Sequence, residues 1–169
     1  MSATADELFA CLETLGIATR TVAHPPLFTV EDARAHRDGL DGLHFKNLFL
    51  KDRKGGLWLV VCLEDRRVDL NALSRRLGAP RFSFGKAELL LEVLGVSPGA
   101  VTPFALINDT GQRVRLVLDE GALAGGMLHF HPLRNDATTR IAAADLIAFC
   151  RSTGHEPVIG PIDEVGTPA

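Results

Sequence analysis

The sequence predicts an α/β fold of the α+β kind: one domain, with a mixed, largely antiparallel central sheet and flanking helices. Three observations carry that prediction. Apolar runs at Phe45–Lys51 and Leu57–Leu63 are joined by Asp52-Arg-Lys-Gly-Gly56, a hairpin connection. Helical segments and hairpins are interspersed without a strict βαβ rhythm, which argues against a doubly wound parallel sheet. The chain has 169 residues, 46% of them apolar, enough for one good core and too few for two comfortable ones.

The elements follow in order. Thr4-x-x-Glu7 is a capping box that opens a helix through Leu15, with Gly16 as its stop. Ala18 to Ala23 reads as a short strand, ended by His24-Pro25-Pro26, which must be extended. Thr29 caps a short helix to about His36, and Asp38 to Gly42 is loop. After the hairpin, Asp69 caps a helix to Leu77, closed by Gly78. Arg81 to Phe84 reads as a strand and Lys86 to Leu94 as a helix. Phe104–Asn108 and Val114–Asp119 read as a second hairpin across Asp109-Thr-Gly-Gln112. Met127–His131 and Thr138–Ile141 are further strands, Ala142–Ser152 a helix ended by Gly154, and Glu156–Ile159 a last strand. The domain is expected to span residues 1–160, with 161–169 as a frayed tail.

Composition narrows the function. Net charge is −3 and no long basic run is present, so a broad nucleic-acid footprint is not expected. Lys51-Asp-Arg53-Lys54, Arg66-Arg67 and Arg75-Arg76 read as solvated surface. No apolar run approaches a membrane span, and the acidic N-terminus is not a signal peptide. Cys11, Cys62 and Cys150 are odd in number and lack a C-x-x-C pair, which fits a reducing, cytoplasmic setting.

The richest stretch is Gly95-Val-Ser-Pro-Gly-Ala-Val-Thr-Pro-Phe-Ala-Leu-Ile-Asn-Asp109, a loop whose backbone amides a ligand can approach. Gly95-x-Ser97-x-Gly99 matches a nucleophile elbow, but the chemistry fails. An elbow needs a strand before the serine and a helix after it. The residue after the serine must also donate its N–H to the oxyanion, and here it is Pro98, which has none. Ser97 is therefore a turn residue. Lys46 lies in an otherwise apolar strand and has two readings: an edge-strand lysine, or a lysine aimed at a phosphate or polarised oxygen. His129 and His131 share a strand face, with Phe130 opposite. They lack a third ligand at telling spacing, so no metal is expected, and both pocket-lining and structural roles stay open. His24 reads as a surface turn residue.

Four segments in order carry a resemblance: His24-Pro-Pro-Leu-Phe-Thr-Val-Glu-Asp-Ala33, Phe45-Lys-Asn-Leu-Phe-Leu50, Gly99-Ala-Val-Thr-Pro103 and Phe130-His-Pro-Leu-Arg-Asn-Asp136. Together they resemble the YbaK and prolyl-tRNA synthetase editing-domain family, and within it the free-standing deacylases that clear alanine from proline tRNA. The resemblance implies an α/β fold with a mixed central sheet and hydrolysis of the ester between a wrong amino acid and tRNA. It implies that Lys46 is the functional lysine, that Asn47 completes the K-N pair, that Gly99 and Pro103 bound the G-x-x-x-P loop and that His131 lines the pocket. Thr29 is expected among the substrate-binding residues.

The physical logic is compatible. A site shaped for proline cannot strongly reject alanine, since one methylene is worth about 1–3 kcal/mol, and a second, smaller site supplies the remaining discrimination. The expected mechanism uses amides of Gly99, Ala100 and Val101 on the developing oxyanion, Lys46 on the terminal nucleotide, and no protein nucleophile, cofactor or metal. The implied partner is the acceptor end of mischarged proline tRNA, with prolyl-tRNA synthetase as a second candidate and neither membrane nor DNA. Cysteine or serine specificity, a non-catalytic binding module and a metal-dependent hydrolase stay open at this point.

Overall fold

Thr4 starts helix α1 (Ala5–Thr14) by accepting from Glu7 N at 3.2 Å, while the Glu7 carboxylate reaches back to Thr4 N. Gly16, at φ 72°, takes the left-handed turn after it, and Leu8 and Leu12 are buried. The computed structural model describes residues 2–26, 43–124 and 126–162. The expected helix from Thr29 and the loop at 38–42 therefore lie outside the described residues, as does most of the C-terminal tail.

Eight strands make one mixed sheet in the order β1-β7-β6-β2-β3-β5-β8, with β4 also on β2. They are β1 (Arg20–Ala23), β2 (Leu43–Asp52), β3 (Leu57–Leu63), β4 (Phe82–Phe84), β5 (Val114–Asp119), β6 (Met127–Phe130), β7 (Ala137–Ala142) and β8 (Val158–Gly160). Antiparallel pairing joins β1 to β7, β6 to β7, and β2 to both β3 and β4; β2–β6, β3–β5 and β5–β8 are parallel. The hairpin between β2 and β3 is closed by Asp52, whose carboxylate accepts from Lys54 N, Gly56 N and Trp58 Nε1. Burial alone would raise this carboxyl, but those hydrogen bonds overcome it and hold its pKa below the usual value.

Both faces of the sheet are covered, though unequally. On one face, α1, α3 (Ala87–Leu94) and α4 (Ala143–Ser152) bury Leu8, Leu12, Leu90, Leu94, Leu146 and Phe149 against Phe49, Leu59, Val61 and Leu116. On the other, α2 (Leu70–Arg76), capped by Asp69, packs Leu73 against Leu50, Val60, Cys62 and Val117. That smaller core takes no residue from β1, β6 or β7.

The expected strand at Phe104–Asn108 is instead a 3-10 helix, Pro103–Asn108. Pro103 occupies its first position, and Thr102 Oγ1 caps it by accepting from Phe104 N at 3.2 Å. Pro103 to Leu106 are all buried, a contiguous run that shows no alternation. The expected second hairpin is therefore absent. Asp109 accepts from Arg113 N and Val114 N and launches β5 into parallel pairing with β3. At the other end, Pro161 O accepts from Arg76 Nη1 and Ile162 is buried.

Candidate active site

The site candidates gather where the sheet opens. β2 pairs with β6 only at Leu43 and His44, and with β4 only from Leu50 onward. Between them, Phe45 to Phe49 keep β3 on one side, while among the described residues no strand pairs on the other. Gly85 N reaches Phe49 O at 2.9 Å and closes the lower end of this gap. Lys46 and Asn47 lie inside it.

Being adjacent on a strand, these two side chains project to opposite faces. Lys46 stands opposite Cys62, on the side of the smaller core, and its Nζ donates to Arg66 O. At Lys46 itself β2 is paired with β3 alone among the described residues, so the edge-strand reading and the pocket reading both remain compatible with its place. An ammonium has three donors, and this bond occupies one. Arg66 O is held in place from beneath. Asp119, fully buried, accepts from Leu63 N and Arg66 Nε, each at 3.1 Å, and from Gly121 N at 2.9 Å. A Cβ on Gly121 would stand 2.6 Å from Leu63 Cδ1, so a side chain there would have to displace the end of Leu63. Sequence reading missed Arg66 and Asp119; the one signal was Asp119-x-Gly121, a turn in which the carboxylate caps its own loop.

His131 follows Phe130 at the end of β6. Phe130 points into the larger core, stacking on Phe45 at 5.2 Å, and His131 lies one residue past the strand. His44 and His129 are register partners, and Lys46 and His131 each lie two residues further on. His131 Nδ1 donates to Ala137 O at 2.8 Å, which leaves Nε2 as an acceptor in the neutral ring. Burial pushes the His131 pKa down, partly opposed by that hydrogen bond, so the ring is neutral at pH 7. His24, read as a surface residue, joins it edge-on at a centroid distance of 6.0 Å and bonds Thr138 Oγ1 at 2.7 Å. The loop after His131 holds Leu133 at φ 69°, a left-handed conformation costing about 1–2 kcal/mol for such a residue.

The Gly99–Pro103 loop lies on the opposite face, with Asn47. Ala100 and Val101 join the larger core, and Phe104 packs edge-on to Phe130 at 6.1 Å. Asn47 Oδ1 is buried there with no hydrogen-bond partner. The loop itself forms a short 3-10 turn, Pro98–Ala100. Ala100 N is engaged within that turn, donating to Ser97 O at 2.9 Å. Gly99 N, in the turn's first residues, and Val101 N, just past it, remain as candidates. Among the described residues no hydrogen bond joins Lys46 to this loop. Thr29 lies outside the described residues. His129 stacks on His44 at 4.7 Å with 7° between planes, and no three His, Cys, Asp or Glu side chains converge as metal ligands among the described residues.

A stretch of β2 left unpaired on one side among the described residues, bearing a lysine and a buried amide oxygen, is suited to holding a polar ligand. Residues 24–149 match the aminoacyl-tRNA editing domain family, and the chain belongs to it. Prolyl-tRNA synthetase associated domain-containing protein 1 of Danio rerio is 46% identical over 159 residues, covering 93% of this chain and 86% of that protein. The prolyl-tRNA editing protein ProX of Acetoanaerobium sticklandii is 31% identical over 150 residues, covering 88% of this chain and 91% of that one. A solved structure described as a candidate trans-editing enzyme for prolyl tRNA synthetase superposes with a TM-score of 0.73 at 23% identity, covering 97% of this chain and 99% of that one. This last likeness establishes the fold. Among the described residues no helix is long and apolar enough to cross a membrane.

Proposed function

We propose that this protein is a trans-editing deacylase that hydrolyses the ester of mischarged proline tRNA, with alanyl-tRNA(Pro) as its substrate. The observation that carries the reading is the unpaired side of β2 along Phe45–Phe49 among the described residues. In this proposal one ligand there meets Lys46 and His131 from one face and Asn47 and the Gly99–Pro103 loop from the other. The acceptor end enters from the side of Lys46, whose two remaining donors hold the terminal nucleotide. The aminoacyl group sits at the opening, with Asn47 Oδ1 accepting from its ammonium and His131 bounding the pocket.

Water adds to the ester carbonyl, and the developing oxyanion is met by Gly99 N–H and Val101 N–H. The intermediate collapses with cleavage of the bond to the ribose oxygen, which takes the proton. The vicinal ribose hydroxyl of the substrate orients the water, so no protein nucleophile is required. The partner is the acceptor end of the tRNA, in a cytoplasmic setting.

The test is single-turnover deacylation of alanyl-, cysteinyl-, seryl- and prolyl-tRNA(Pro). Alanyl ester is expected to be lost fastest and prolyl ester to survive. Lys46→Ala should lower the rate about 100-fold, the scale of one lost electrostatic contact in a transition state. An unchanged rate at saturating substrate removes Lys46 from the mechanism. Protection of all four esters makes the protein a binding module, and loss of activity in a chelator brings back the metal-dependent alternative.

A further inference from the structure

The outer face of the β1–β7–β6–β2 region carries a row of side chains that this reaction does not use. The register sets Arg20 opposite Arg140, Arg140 opposite His129 and His129 opposite His44. Partners in a sheet point to one face, so all four share the face of Lys46, and the row spans about 14 Å at ~4.8 Å per strand. Two arginines directly opposed on antiparallel strands repel each other. Neither has an ion pair among the described residues, and Arg140 Nε is buried without a hydrogen-bond partner. Arg20 is exposed at the sheet edge, and the apolar core on this face takes nothing from β1, β6 or β7. An acidic chain has thus set two arginines directly opposite each other on neighbouring strands, with an ion pair to neither among the described residues.

We propose that Arg20 and Arg140 grip backbone phosphates of the RNA strand whose aminoacylated end reaches Lys46. A phosphate between two guanidinium forks satisfies donors on both and cancels their repulsion. Lys46 lies two residues beyond the row, about 7 Å along β2, so one strand can touch both. The proposal rests on the deacylase reading for the identity of the RNA.

The experiment compares the wild-type chain with R20Q/R140Q on two substrates: full alanyl-tRNA(Pro) and the alanyl ester of adenosine, which has no backbone phosphate. The ratio of KM for the tRNA ester to KM for the adenosine ester should rise roughly tenfold, with kcat on the tRNA nearly constant. Fluorescence anisotropy with uncharged tRNA should show a salt slope shallower by about 1.4, from two phosphates at about 0.7 each in a single strand. R20K/R140K should keep the slope. Melting of the glutamine variant should not fall, since a repulsive pair has been removed. An unchanged KM ratio and slope overturn the proposal, as does an equal KM rise on both substrates, which would put the arginines in the ester pocket. Intact RNA binding with lost binding to prolyl-tRNA synthetase overturns it in favour of a protein partner. If wild-type protein cleaves neither ester, the deacylase reading fails while the anisotropy still decides the phosphate contact.

Discussion

Asn47 stands in a half-buried strand position, yet its Oδ1 has no partner. An unmet buried acceptor costs about 1–3 kcal/mol, and a natural chain keeps one where a ligand supplies the donor. Asn47→Leu should therefore separate stability from activity. Melting should rise by about 2–4 °C, the shift for ~1 kcal/mol in a chain of this size, while deacylation falls at least about tenfold. A joint fall of both would make Asn47 structural. His131 supplies a pH signature. Its folded pKa lies below the ordinary imidazole value, so its contribution to stability is full above about pH 6.5 and is lost as pH falls through the folded value. Histidine-to-glutamine replacement at 131 should flatten that acid limb in melting curves recorded across the window. The residue types at this scale were legible in sequence. The company of His24 was not, because Thr138 and His131 reach it from segments more than a hundred residues away.

At the scale of elements, the lysine depends on a turn. Asp119, at the end of β5, clasps the chain just after β3, and Arg66 O from that turn takes Lys46 Nζ. Asp119→Asn removes part of a charge-assisted set and should cost about 2 kcal/mol of stability. It should also lower deacylation, but add little in a Lys46→Ala background, because both changes then act through one contact. Additive losses in that double-mutant cycle would sever the link. The element misread from sequence was Phe104–Asn108, where a run of four apolar residues fits a buried strand or a buried 3-10 turn equally well. Thr102-Pro103 was the available clue, since a capping hydroxyl followed by proline starts a helical turn.

Across the whole molecule, a buried latch ties the C-terminal helix to the start of β5. Thr153 Oγ1 bonds His155 Nδ1 and His155 Nε2 bonds Asp109 Oδ2, each at 2.8 Å, with the last two side chains 2% exposed. Asp109 also anchors Arg113 N and Val114 N, directly after the 3-10 helix that seats the Gly99–Pro103 loop. Asp109→Ala leaves a buried imidazole and two amides without their acceptor and should cost about 3–5 kcal/mol in urea unfolding. A loss below ~1 kcal/mol would show that the latch is incidental. Loop position should suffer with it, since the segment that bears the loop is fastened at this point.

The chain's own residues determined the class of fold, the capped helices, the main hairpin, the exclusion of Ser97 by Pro98, and membership of the editing-domain family. Each of these is local: caps, turns, period-two alternation and the missing N–H of a proline act within a few residues. The tertiary structure alone decided that, among the described residues, β2 loses one neighbour before gaining the next beside Lys46 and Asn47. It alone decided that Ala100 N is engaged, that Asp119 and Arg66 hold the lysine, and that Arg20 faces Arg140. The reason is register. Which residues face one another across strands is set by packing between distant segments, and a one-residue slip would turn every such pair to the other face.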